Sequence, residues 1–133
     1  MDYQFMDEAA FGELIRRITA DSDGEGRQSL KDLEEFLGVF HDYVHTVVRG
    51  ETEIMTRGKE LEGQEYRDMI SAYDANRHNH HDSAIMYVSA LNRLAAKYSL
   101  PPVFTGDSKQ RRQVADFCLE MDSYLFRNRR MIL

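Results

Sequence analysis

Apolar residues recur every third or fourth position along nearly the whole chain and scarcely ever at every second one. That period is helical, not extended. Phe11, Leu14, Ile15 and Ile18 form a first stripe and predict a helix over 7–20. Leu30, Leu33, Phe36, Leu37, Phe40, Val44, Val47 and Val48 form a second, predicting a helix over 29–49 that either pauses at Gly50 or runs on through Ile54 and Met55 toward Gly58. From 64 to 98 the stripe hardly breaks: Tyr66, Met69, Ile70, Tyr73, Arg77, His81, Ala84, Ile85, Val88, Leu91, Ala95 and Tyr98 predict one long helix or two nearly collinear ones. Val114, Phe117, Cys118, Met121, Leu125 and Phe126 face inward on a last helix over 108–128.

Punctuation agrees with these elements. Pro101 and Pro102 are the only prolines, and they forbid a helix between the third and fourth stripes. Ser29, with Asp32 three residues on, reads as an N-cap opening the second helix; Asp107 with Gln110 reads the same way for the last. Without strand-like alternation or an internal repeat, the expected fold is all-α, an up-and-down helical bundle of four to five helices. At 133 residues the expectation is a single domain over the whole length.

Charge refines this picture. The net charge of −6 is unevenly spread: residues 1–66 hold sixteen acids and seven Lys/Arg, residues 67–133 seven acids and ten Lys/Arg. An acidic first half speaks against nucleic-acid binding, which needs a broad basic face to displace counterions. No apolar run approaches the ~18 residues that span a bilayer, and the acidic N-terminus does not read as an export signal. One cysteine, Cys118, fits a reducing, cytoplasmic setting and lies on an apolar stripe, where a core role is expected over a nucleophilic one.

The stretch 21–32, DSDGEGRQSLKD, has the outline of a calcium loop between helices. Asp21, Asp23, Glu25, Ser29 and Asp32 sit at alternating ligand positions, with Gly26 at the turn. Asp32 replaces the long glutamate that grips the ion with both oxygens, Gln28 stands where an apolar residue pairs two such loops, and no second loop follows. The expected reading is an acidic connector with no tight calcium site.

All five histidines fall in two groups: His41 and His45, one turn apart, and His78, His80 and His81 beside Asp82. Imidazoles four residues apart project side by side from a helix, the spacing a divalent metal uses. If the second helix continues to about 57 and doubles back near 60, residue 41 lies opposite roughly residue 79 and the groups converge, making His41, His45, His78, His81 and Asp82 candidate metal ligands. The order His41 or His45, His81–Asp82, then Asp116 or Asp122 also resembles that of HD-type metal-dependent phosphohydrolases. The alternative is a polar layer in the core, Arg77 and His81 bonded to Asp42 and Glu35 on the second helix, since buried cations need partners. No glycine-rich phosphate loop, GxSxG or CxxC occurs.

Residues 77–117 carry a resemblance: the His81–Asp82 pair, ALNRL at 90–94, LPPVF with Gly106–Asp107 behind it, and Arg111 followed by VADF at 114–117. They resemble a family of small uncharacterised bacterial proteins to which no activity is attached. The resemblance implies a cytoplasmic, all-helical domain.

The functional expectation is therefore a non-enzymatic protein-interaction module, self-association included, supported by the lack of a complete catalytic set and by the apolar tail RRMIL at 129–133. No cofactor is expected on this reading. The alternative is a hydrolase holding a divalent metal ion at the histidine groups.

Overall fold

A computed structural model describes residues 4–21 and 23–128, apart from the side chains of 48, 49 and 76. The apolar tail at 129–133, offered as support for an interaction role, and the side chain of Val48, expected on the buried stripe, lie outside the described residues. The chain is all-α. Helix α1 (Glu8–Ala20) is followed by α2 (Gly24–Tyr43), a five-residue π turn (Val44–Val48) and α3 (Arg49–Arg57), which together form one rod. A 3-10 turn (Gly58–Glu60) leads to the long α4 (Gln64–Lys97), and α5 (Arg111–Arg127) completes the bundle.

Helix α1 starts where a cap is available: the Asp7 carboxylate accepts the Ala10 N–H at 3.0 Å. Its stripe of Ala10, Phe11, Leu14 and Ile18 is buried. Helix α2 begins five residues earlier than its sequence suggests, so Ser29 is not a cap but a buried group inside the helix, its hydroxyl taking a hydrogen bond from Lys97 Nζ at 3.4 Å. The tight α1–α2 corner depends on Gly26, where a Cβ would stand 2.0 Å from the Asp21 carbonyl oxygen. The early start also dissolves the twelve-residue acidic loop: Glu25, Ser29 and Asp32 all ride on α2, and of the five candidate ligands only Asp21 and Asp23 lie outside it. Asp21 spends its carboxylate on the Tyr98 hydroxyl (3.0 Å) and the Asp23 N–H (3.3 Å), and Asp32 accepts from Gln28.

The second helix does not stop at Gly50. It runs on through the π turn, and α4 returns antiparallel to it, with Phe36 packed on Tyr87, Tyr43 on His81, Gly50 against Tyr73 and Gly58 against Tyr66. The core lies between α1, α2, the second half of α4 and α5. Phe40, Phe104 and Phe117 stack edge-to-face there, and Phe11 meets Tyr124. Leu30 and Phe126, expected inside, are 41% and 76% exposed, because each lies just past the edge of its helix's buried stripe.

The Pro-Pro loop returns the chain along the bundle, so that α5 begins beside Tyr73, Arg77 and His81 and ends with Arg127 near Glu8. Asn92 fixes that loop from α4: its amide donates to the Phe104 carbonyl (3.1 Å) and its carbonyl accepts the Phe104 N–H (2.9 Å). On the other side an antiparallel bridge joins Met6 to Phe104. Asn92 thus ties the middle of α4 to the loop that follows it. Helix α5 starts at Arg111, three residues later than expected, since the Asp107 carboxylate caps a turn at Lys109 and Gln110 takes the N-cap position without a side-chain bond.

Beyond the level of Gly50 the bundle thins to two layers. Helix α3 packs chiefly along α4, and between 50 and 83 the only buried residue among those described is Gly58. The two helices form an arm standing off the body. No helix of the described residues is long and apolar enough to cross a membrane.

Candidate functional site

Where α2 passes into the π turn, successive side chains diverge. Tyr43 is fully buried and turns to α4, while His41 and His45 turn to α5. There they meet Asp122. His41 Nδ1 lies 3.1 Å from Asp122 Oδ1, and His45 Nε2 lies 3.5 Å from Asp122 Oδ2. The two imidazole centroids are 4.1 Å apart. One ligand atom from each of the three residues falls within a 4.8 Å span. Asp122 is partly sheltered and His41 open to solvent, with 27% and 58% of their side chains exposed. The group borders a surface depression of about 740 Å³ whose other walls include Leu119, Leu125 and Phe126.

The second histidine group does not join it. His78 and Asp82 are exposed on α4, and His81 is held by the Tyr43 hydroxyl at 2.8 Å. The α2–α4 register is close to that expected, with residue 43 facing 81, but His41 lies about 160° round the helix from Tyr43 and so misses α4 altogether. The ligand order of the HD-type hydrolases is thus not assembled. His81 and Asp82 are separated from Asp122, and Asp116 lines a cleft with His81 that holds neither His41 nor His45.

That cleft, of about 470 Å³, runs between Glu51, Tyr73, Arg77, His81, Arg111, Arg112 and Asp116. Burial, and then the nearby Arg111 and Arg77 cations, push the His81 pKa below its ordinary value of 6.5, so the ring is neutral at neutral pH. Burial raises the Tyr43 hydroxyl, and likewise the Cys118 thiol, which sits fully inside the core. The expected polar layer is corrected in its partners. Arg77 pairs with Asp74 on its own helix at 3.3 Å and lies over the Tyr73 ring. Asp42 is exposed, and Glu35 accepts from the Tyr87 hydroxyl at 2.8 Å, about three turns along the bundle from Arg77.

Tyr43 escaped the sequence reading, and Asp122 entered it only as the alternative to Asp116 in the HD-type order. Tyr43 continues the stripe of Phe36, Phe40 and Val47 at helical spacing, and that signal was available. Asp122 carries no local signal that selects it from the other acids of the last helix. Only the packing of α5 on α2 does so.

No curated protein and no solved structure matches the chain. A family profile does, over residues 6–131, and the chain belongs to that family, described as a protein of unknown function, DUF3232.

Proposed function

We propose that this chain is a helical protein-interaction module that docks through its two-helix arm, a second copy of the chain being the first partner to test. The observation that carries the reading is the arm's unfinished packing. Ile54, Met55, Leu61, Tyr66, Met69, Ile70 and Tyr73 all lie on it, and none is buried in the isolated chain. Met55 is 69% and Tyr66 41% exposed. An antiparallel helix pair buries only one stripe per helix, and a third or fourth helix ordinarily covers the remainder. Apolar residues grouped on an exposed arm mark a contact surface more often than singly scattered ones do.

Sedimentation equilibrium over a range of concentrations tests it. Reversible dimers are expected in the wild type, and Met55→Glu and Tyr66→Glu should return the chain to monomer with unchanged helical circular dichroism. A wild type that stays monomeric throughout removes self-association. Dimers indifferent to both substitutions would place the contact elsewhere.

A further inference from the structure

We propose that His41, His45 and Asp122 form a binding site for a divalent transition-metal ion of the zinc class, with three protein ligands and the remaining positions open to the adjoining depression. The site is independent of the arm. Two imidazoles and one carboxylate are the donors that suit zinc, cobalt, nickel or copper, whereas calcium and magnesium take oxygen ligands almost exclusively.

The distances fit. Ligands bonded at ~2.0–2.1 Å in tetrahedral geometry stand roughly 3.3 Å from one another along the edges of the tetrahedron. The imidazole–carboxylate separations, 3.1 Å from His41 to Oδ1 and 3.5 Å from His45 to Oδ2, are close to that value, and a small turn of the Asp122 carboxylate brings one of its oxygens toward both rings. The histidine pair, whose ligand atoms lie within the 4.8 Å span, has to close by about an ångström or more for the widest case. His41 and His45 can do so by side-chain rotation, since both are at least a third exposed.

Two further features accord with a binding role. The carboxylate comes from a different helix than the imidazoles, so an ion would tie α5 to the α2 rod. His45 also lies within the π turn, a distortion that recurs at functional sites because it re-aims side chains a regular helix would direct elsewhere. Leu119, Leu125 and Phe126 give the open side an apolar border.

The experiment uses tag-free full-length protein stripped with a chelator and titrated with Co²⁺, followed by its visible ligand-field absorption and displaced with Zn²⁺. One equivalent is expected to bind, with the intense absorption of a four- or five-coordinate site. His45→Ala and Asp122→Asn should each weaken binding about tenfold or more, while His78→Ala, which alters an exposed histidine outside the group, should leave it unchanged. Circular dichroism checks that every variant is folded, and His41→Ala, at the most exposed of the three ligands, provides a further folded variant. Failure of the wild type to take up either ion overturns the proposal. So does uptake that survives both His45→Ala and Asp122→Asn, since the ion would then sit elsewhere.

Discussion

A guanidinium on an apolar stripe suggests a buried ion pair, and Arg77 shows how much depends on which acid answers it. Its partner is Asp74, one turn away on the same helix, and the two side chains are 42% and 55% exposed. Pairs this open contribute little, because water screens them and two flexible side chains must be ordered. Arg77→Ala is therefore expected to cost under about 1 kcal/mol in a urea melt, well short of the ~3–5 kcal/mol of a buried pair broken on one side. His81 behaves differently. Its proton affinity is lower folded than unfolded, so below the ordinary pKa of 6.5 the unfolded chain binds more protons and stability falls as the pH is lowered. Stability measured by denaturant between neutral pH and mild acid should show this loss in the wild type. His81→Gln, which removes the titrating group, should flatten that part of the profile. Identical slopes would contradict the assignment.

At the scale of elements, the four helical stripes and the Pro-Pro break were readable because helical period is a local property. Start points were less so. Ser29 and Asp32 have the composition of a cap, yet Asp23 and Gly24 open the helix first, because the corner is set by the approach of Asp21 to Gly26 across the turn. No local pattern reports a contact of that kind. The direction in which His41 and His45 point was unreadable for a related reason: it follows from the face α2 gives to α5, a helix more than sixty residues away in sequence. Two glycines of α2 test the argument about the corner. Gly38 has open space around its missing side chain, and Gly38→Ala should stabilise by about 0.5–1 kcal/mol through helix propensity. Gly26→Ala carries the same propensity gain but sets a methyl against the Asp21 carbonyl, and should lower the melting temperature instead. Equal and positive effects would mean the corner is not tight.

The whole molecule is a dense body carrying a thinner arm, and its stability should be graded accordingly. Ala84, Val88, Leu91 and Ala95 are fully buried on α4, whereas the first two turns of the same helix bury nothing. Local opening is easiest where few apolar contacts hold the backbone. In hydrogen–deuterium exchange of the monomer, amides from 52 to 72 should exchange well ahead of those from 84 to 95, although one continuous helix carries much of both sets. Uniform protection along α4 would show the arm to be as firmly held as the body. Between the two parts stands the π turn, which amounts to one residue more than an α-helical rod requires. Deleting a single residue there, Thr46 for example, would restore ordinary winding and leave everything beyond it facing nearly as it does now, because five residues in a π turn sweep about the same angle as four in an α-helix. Gly50 would then stay on the side of Tyr73 and Gly58 on that of Tyr66, and what would change is the aim of the side chains inside the turn, His45 among them. The joint is thus a place where the rod has taken in one residue without changing how α3 lies along α4, so its length can vary by that residue while the arm keeps its bearing.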